Sequence, residues 1–294
     1  MSVYRLAAFA DEADPSIDGQ IAALLRNSVD FLEIRGVDGQ NIADISNEKA
    51  REVRAKLDAA GLSVWSLGSP FGKIGIHDDF APHLEKFRRA LENCAVLGCT
   101  RMRVFSFYVD RKIIEAPPVS SGEAGNAVFA EKKAIFEEVK ERLSAFLEEA
   151  GRAGITLCHE NEKGIYGERA ADCFDLHEAL PGLKAVFDPA NYIQAGEDTV
   201  RAAALLKPYI EYMHIKDALS VSGEIVPAGR GDAHIEEILK CYRKGVLTVE
   251  PHLRVFKGLE QIERGTDRRS EIGNAFATAN EAFDAACGAL KKLI

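Results

Sequence analysis

Eight short apolar runs recur along this chain, and each leads into a segment whose apolar residues have helical spacing. The units average about 35 residues, and no change of composition marks a linker between them. Regular alternation of strands and helices is typical of a parallel sheet, and eight such units suit a closed barrel. We therefore predict a single α/β domain over residues 1–294, a (β/α)8 TIM barrel with an extra C-terminal helix. The predicted strands lie at residues 4–9, 31–34, 62–67, 102–105, 155–160, 183–188, 209–214 and 245–250.

The alternative architecture is an open, doubly wound sheet. Such sheets often bind nucleotides through a glycine-rich motif that follows the first strand. No GxGxxG follows the first run and no GxxxxGK[ST] occurs anywhere in the chain, which favours the closed barrel. The predicted helices lie at residues 15–27, 46–60, 79–97, 129–153, a short one that ends at 180, 198–206, 234–242 and 271–292.

Four consecutive runs end in a side chain that can bind a metal ion or a proton. The run at residues 155–160 ends in Glu160, and the next three end in Asp188, His214 and Glu250. The carboxyl ends of parallel barrel strands meet at one face, where barrel enzymes have their active sites. We therefore expect these four side chains to converge.

Three carboxylates and one imidazole form a strongly negative cluster. Like charges at short distances do not all stay ionised unless a cation neutralises them. A single divalent metal is the simplest such cation, and this ligand set suits Mn, Co, Zn, Mg or Fe(II) without selecting among them. The sequence therefore predicts a metal centre with Glu160, Asp188, His214 and Glu250 as ligands.

The composition excludes several other classes of protein. A formal net charge of −9 disfavours a nucleic-acid partner. Six cysteines without a CxxC indicate neither a disulfide framework nor a zinc ribbon. No apolar run is long enough to span a membrane, and the first residues lack the features of a signal peptide. We expect a cytoplasmic protein without a membrane partner.

Residues 107–126 interrupt the regular alternation. They contain two adjacent prolines and a Ser-Ser-Gly sequence, with little periodicity. Long loops inside compact domains are usually functional or mobile, and this one leaves the carboxyl end of a predicted strand. We predict a lid over the barrel mouth; a plain surface insertion is the alternative.

The four ligands, together with Gly229-Arg230-Gly231, resemble the xylose-isomerase-like barrels of the sugar phosphate isomerase/epimerase superfamily. This superfamily includes ketose 3-epimerases, hydroxypyruvate isomerases and inosose dehydratases. The resemblance covers nearly the whole chain in unit order. One position departs from it, because Asn191 stands where many members have a second histidine. An asparagine can contact a substrate hydroxyl, but it neither titrates nor binds metal as readily.

The resemblance implies a divalent-metal-dependent isomerase or epimerase that acts through an enediolate. Glu160 and Glu250 are the catalytic acid and base, and the substrate is a small polyhydroxylated carbonyl compound, with or without phosphate. Side chains that follow other strand ends are candidates for substrate binding. They are Asn191, Lys216, Arg230, Arg103 and His159.

Two other functions remain as alternatives, and a third is set aside. The same centre can dehydrate an inosose-like ketone, and the His-Ile-Lys-Asp sequence after the seventh strand favours this reaction slightly. Phosphodiester cleavage by an AP endonuclease needs a histidine-rich metal cluster, which this chain does not offer. A sugar-binding protein that has lost catalysis is the non-enzymatic alternative. The oligomeric state is left open, a homo-oligomer included.

Overall fold

The computed structural model describes residues 4–121, 127–243, 245–256, 271–273 and 275–294. Eight parallel strands form a closed barrel in which each strand lies beside its neighbours in the chain and the eighth pairs with the first. The predicted barrel is therefore confirmed. The strands are β1 (Tyr4–Ala8), β2 (Phe31–Ile34), β3 (Ser63–Leu67), β4 (Arg101–Val104), β5 (Thr156–Glu160), β6 (Lys184–Phe187), β7 (Ile210–Ile215) and β8 (Gly245–Val249).

Ten α-helices occur in the described part of the chain, and at least one follows each barrel strand. Most begin within a few residues of their predicted starts, because polar side chains cap them as the sequence suggests; Ser46, for example, caps α2. The helices are α1 (Ile17–Arg26), α2 (Asn47–Ala59), α3 (Phe80–Leu97), α4 (Arg111–Glu115), α5 (Ala127–Arg152), α6 (Ala170–Ala179), α7 (Pro189–Ala195), α8 (Thr199–Leu206), α9 (Ile235–Tyr242) and α10 (Ala279–Lys291).

The C-terminal helix α10 begins later than the predicted start at residue 271. Thr278 and Glu281 form a capping box, which satisfies the first free amides of the helix and sets its start at Ala279. Upstream, Glu271–Ile272 is a short strand that pairs with Glu224–Val226. The apolar pattern locates this helix, whereas the cap determines its first residue.

Alternation along the barrel strands determines which side chains form the site. A compact layer fills the barrel interior and includes Cys158, Val186, Tyr212 and Val246. Every second residue of a strand points to the same side. The next inward-facing residue of each of these strands, two positions nearer its carboxyl end, carries a polar side chain. Counting in twos from this layer leads to Glu160 on β5, Asp188 after β6, His214 on β7, and Thr248 and then Glu250 at the end of β8.

The described part of the segment predicted as a lid includes helix α4 and packs against its neighbours. Tyr108 bridges Gly75 and Ile165, so the chain passes between the loops that follow β3 and β5. Further on, the Lys132 ammonium on α5 donates to the Ala116 carbonyl (2.9 Å), which holds the segment against the helical ring. Residues 122–126 of the predicted lid lie outside the described residues. Ordering of the segment by a ligand stays a prediction.

Among the helices that the structure describes, none combines the length and the apolar character needed to cross a membrane.

A buried histidine in the helical layer predicts a loss of stability in acid. Burial lowers the pKa of His177 from 6.5 to about 4. As pH falls below 6.5, His177 becomes protonated in the unfolded chain but stays neutral in the native protein. Stability that is present above pH 6.5 is therefore lost as pH falls toward 4. His177→Gln should flatten the fall in the free energy of unfolding across this range, by at most about 3 kcal/mol. Denaturant titrations at several pH values measure it.

The exposed His77 offers a matched control, since His77→Gln should leave the pH dependence of the wild type unchanged. An equally steep fall in His177→Gln would show that other groups cause the loss.

Candidate active site

The structure brings the four predicted ligands together at the carboxyl end of the barrel. Glu160, Asp188, His214 and Glu250 are all buried. One potential ligand atom from each lies within 4.8 Å of the others. Their four strands are consecutive around the barrel, so the group forms on one side of the mouth.

Arginines hold the outer oxygens of the two glutamates. Arg103 Nη1 lies 3.0 Å from Glu160 Oε2, and Arg35 Nη1 lies 3.4 Å from Glu250 Oε1. The other oxygens, Glu160 Oε1 and Glu250 Oε2, lie 3.0 and 3.4 Å from His214 Nδ1. Each glutamate therefore presents one oxygen to the centre of the group while an arginine fixes its second. Arg103, predicted to bind substrate, lies in this site.

Two asparagines fix the third carboxylate. Asn161 exchanges two hydrogen bonds with the backbone of Asp188, at 2.9 and 3.0 Å. Asp188 Oδ1 accepts a hydrogen bond from the backbone amide of Asn191 at the start of α7 (3.1 Å). The side-chain Nδ2 of Asn191 donates to the backbone carbonyl of Asn161 (2.9 Å). Asn191 Oδ1 is buried without a partner among the residues that the structure describes. The predicted substrate contact of Asn191 would use this oxygen.

His214 is oriented from the opposite side of its ring. Its Nε2 lies 3.2 Å from Glu33 Oε2, and the Tyr212 and Thr248 hydroxyls each donate to the same carboxylate at 2.7 Å. A carboxylate on the far nitrogen is the usual partner of a metal-binding histidine. Burial lowers the pKa of His214, but Glu160 and Glu33 outweigh burial and raise it well above its ordinary value. Glu33 lies within the predicted strand 31–34, and nothing in the local sequence points to this contact.

Lys216 lies inside the group of acids. Its Nζ is 2.9 Å from Asp188 Oδ2 and 3.3 Å from Glu250 Oε2. Burial lowers the pKa of this ammonium, but Asp188 and Glu250 outweigh burial and raise it well above the ordinary value. Lys216 was predicted as a substrate contact, and the structure places it among the predicted ligands.

Burial and neighbouring charges also set the state of the three acids. Burial alone would raise the pKa of Glu160 and of Glu250, but nearby cations outweigh burial. His214 and Arg103 hold the pKa of Glu160 below its ordinary value. Lys216 and His252 hold the pKa of Glu250 well below its ordinary value. Asp188 differs, because burial raises its pKa to about 6 despite Lys216. Both glutamates are therefore carboxylates at neutral pH.

The charges of the site favour a bound cation. Ion pairs among the described residues connect five carboxylates with three arginine or lysine cations. A sixth carboxylate, Glu33, pairs with His214. A divalent ion reduces this excess of negative charge. Three carboxylates and one imidazole nitrogen are ligands that Mn, Co, Zn, Mg or Fe(II) accept. The donor set therefore fits one divalent metal.

A second layer behind Glu250 was missed by sequence reasoning. His252 Nδ1 lies 3.0 Å from Glu12 Oε1, and Arg35 contacts both Glu12 and Asp11 at 3.0 Å. His252 has a left-handed backbone (φ 44°), uncommon for a residue other than glycine. Glu12, Glu250 and His252 also lie close enough to share an ion, although Arg35 already pairs with both glutamates. The available signals were Asp11-Glu12 after the first strand and His252 two residues beyond Glu250.

The structure does not bring His159 to the four ligands. As the residue before Glu160 on β5, it points to the other side of the strand. Its Nε2 lies 2.9 Å from the Ser106 hydroxyl, and its ring packs so closely on Gly167 that an added Cβ there would lie 2.4 Å from Cε1. Burial lowers its pKa well below the ordinary value. His159 thus packs between the barrel and its helices, and its contact with a substrate stays a prediction.

Arg230 lies on an exposed part of the loop between β7 and α9. The buried carboxylate of Asp217 organises this loop, since it accepts the backbone amides of Gly229 (2.8 Å), Gly231 (3.0 Å) and Ala233 (3.1 Å). A Cβ at position 231 would lie 2.2 Å from Asp217 Oδ1, which explains the glycine. The backbone of the loop is thus fixed, and the Arg230 side chain is exposed. Its contact with a substrate stays a prediction.

Known structures share this fold over nearly their whole length. D-Psicose 3-epimerase from Clostridium cellulolyticum H10, solved with D-tagatose, is 15% identical, with a TM-score of 0.68 and 98% of each chain covered. D-Allulose 3-epimerase from Methylomonas sp., solved with D-allulose, is 14% identical, with a TM-score of 0.68 and coverage of 100% of this chain and 98% of that chain. The probable 3-DHS dehydratase AsbF from Bacillus anthracis is 16% identical, with a TM-score of 0.66 and 99% of each chain covered.

No curated protein matches the chain significantly. The family model described as xylose isomerase-like TIM barrel matches residues 21–271, which is most of the chain. The resemblance seen in the sequence is therefore confirmed, and the protein belongs to the xylose isomerase-like TIM barrel family.

Proposed function

We propose that the protein is a divalent-metal-dependent isomerase or epimerase of a small polyhydroxylated carbonyl compound, such as a ketose with or without a phosphate group. The observation that carries this proposal is the convergence of Glu160, Asp188, His214 and Glu250 within 4.8 Å. The family supports it, since several of the similar structures are sugar epimerases.

The four converging residues would hold one divalent ion. A metal bound there would polarise a substrate carbonyl and the hydroxyl on the adjacent carbon. The hydrogen on that hydroxyl-bearing carbon would then be more acidic. Arg103, Arg35, Asn191 and Glu33 keep the ligand residues in position, because each binds the side of a ligand that faces away from the group. Few side chains would need to move before binding.

Glu160 and Glu250 are the acid and base in this proposal. They come from β5 and β8, with Asp188 and His214 between them around the barrel. Both are carboxylates at neutral pH, as a base must be. One removes the proton from the substrate carbon to give an enediolate and later releases that proton to water. The other takes a proton from water and gives it to an adjacent carbon or to the opposite face. Isomerisation or epimerisation follows from where that proton is added.

Dehydration is the second candidate, and the position of Lys216 favours it. Elimination from the same enediolate expels a hydroxyl group, which leaves as water once it receives a proton. The Lys216 ammonium among the ligands could stabilise that departing oxygen. The similar fold of a probable 3-DHS dehydratase agrees with this second reading.

Metal loading and product analysis test the proposal. The metal-free protein is loaded in turn with Mn²⁺, Co²⁺, Zn²⁺, Mg²⁺ and Fe²⁺, and metal content is measured. Each form is then incubated in D₂O with a panel of ketoses, ketose phosphates and cyclic polyhydroxy ketones. We expect metal-dependent deuterium incorporation beside the carbonyl, with a product of unchanged composition.

A product that has lost water would assign the dehydratase instead. Sugar binding without deuterium exchange would indicate the sugar-binding alternative, and absence of metal binding would contradict the metal centre.

A further inference from the structure

Lys216 contacts the inward oxygens of two predicted metal ligands. Its ammonium lies 2.9 Å from Asp188 Oδ2 and 3.3 Å from Glu250 Oε2. Both acids have their other oxygen occupied, Asp188 Oδ1 by the Asn191 amide and Glu250 Oε1 by Arg35. Lys216 therefore contacts the oxygens that a metal would need.

The two arginines of the site are placed differently. Arg103 and Arg35 bind the outer oxygens, Glu160 Oε2 and Glu250 Oε1, and leave the inward oxygens of these glutamates to His214. Their charge can stay in place when a cation enters. An ammonium on the inward oxygens would instead be close to that cation, and like charges in a buried site repel strongly.

We propose that Lys216 is an internal counter-cation, which holds Asp188 and Glu250 together before metal binds and is displaced from them by the metal. The inference rests on the metal centre of the proposed function. In this role Lys216 lowers the affinity for metal and stabilises the metal-free fold, because one buried positive charge is exchanged for another.

Buried carboxylates explain why such a counter-cation is needed. Asp188 and Glu250 are almost fully buried, and ionised acids so placed are costly unless a cation pairs with them. Lys216, two residues beyond the ligand His214 on the same strand end, supplies that cation from within the sequence.

Lys216→Met tests the proposal through metal binding alone. Affinity for Mn²⁺ and Co²⁺ is measured at pH 8 by competition with a chelator. Removal of the competing charge should tighten binding by roughly 10- to 100-fold. Lys216→Arg keeps the charge and should bind no more tightly than the wild type. The rise in melting temperature on adding metal should be larger for Lys216→Met than for the wild type.

Lys163→Met is the matched control. Lys163 is also buried at the barrel mouth, and its Nζ donates to Gln194 Oε1 (2.8 Å), a neutral partner. Its loss should change metal affinity less than about twofold, since its hydrogen bond to Gln194 leaves the inward oxygens of Asp188 and Glu250 to Lys216.

A measurement on the wild type keeps the proposal testable if Lys216→Met does not fold without metal. The ¹⁵Nζ resonance of Lys216, identified by its absence in Lys216→Arg, should shift when Zn²⁺ saturates the protein. An unshifted resonance, or a metal affinity in folded Lys216→Met no tighter than in the wild type, would overturn the inference. A wild type that binds none of these ions would instead reject the metal-dependent function itself.

Discussion

Glu160→Gln is expected to lower turnover by about 100- to 10,000-fold while metal content stays near that of the wild type. The amide keeps the size of the side chain and one oxygen that can face the metal, but it cannot accept a proton from carbon. Arg103 loses a charged partner at 3.0 Å, so some loss of stability is expected as well. Metal content, turnover and deuterium incorporation are measured with the best substrate of the panel.

Glu250→Gln should cause a similar loss of turnover. If the two glutamates serve opposite faces of the substrate carbon, each variant should lose solvent-proton exchange with one epimer only. Glu211 provides the control: it lies near the start of β7, at the other end of the barrel, and pairs with Arg101 at 2.8 Å. Glu211→Gln should keep full activity. Full turnover in Glu160→Gln would refute the mechanism with two glutamates.

His214→Ala should abolish metal binding and activity together, because the imidazole offers the single nitrogen ligand in the group. Glu33→Gln should have the same effect in weaker form. Glu33 contacts His214 Nε2 and no other predicted ligand, and loss of such a partner typically lowers metal affinity by about 10- to 100-fold. Isothermal titration with Co²⁺ or Zn²⁺ measures both variants.

His159→Gln is the control for the histidine variants. This side chain precedes a ligand in sequence but faces the helical layer, so metal affinity should not change. Retention of metal and turnover by His214→Ala would mean that the three carboxylates act without it, and the ligand assignment would be wrong.

The side chains at the strand ends could be predicted from two features of the sequence. Apolar runs locate barrel strands, and alternation in twos brings Glu160, Asp188 and His214 to the same face at the carboxyl end. The same rule places His159, one residue earlier, on the other side of its strand, where it contacts Ser106.

The supporting contacts were not predictable, because they join residues far apart in the chain. Glu33 on β2 binds His214 on β7, and Glu12 after β1 binds His252 after β8. Tyrosine and threonine hydroxyls and His214 surround the Glu33 carboxylate. These pairs form only when the barrel closes. No local sequence pattern predicts which side chains from distant strands will then be in contact.

Asp217 divides the loop after β7 into two parts with different freedom to evolve. Its carboxylate anchors residues 229–233 by their backbone amides. Glycine is favoured at 229, where φ is 80°, and at 231, where Asp217 leaves no room for a Cβ. The tip around Val221, which is 98% exposed, lies outside this anchor. Insertions or replacements there would alter the rim without moving the fixed end. The barrel thus carries an exchangeable segment close to its candidate site, where selectivity for one substrate over another can change while the catalytic group is preserved.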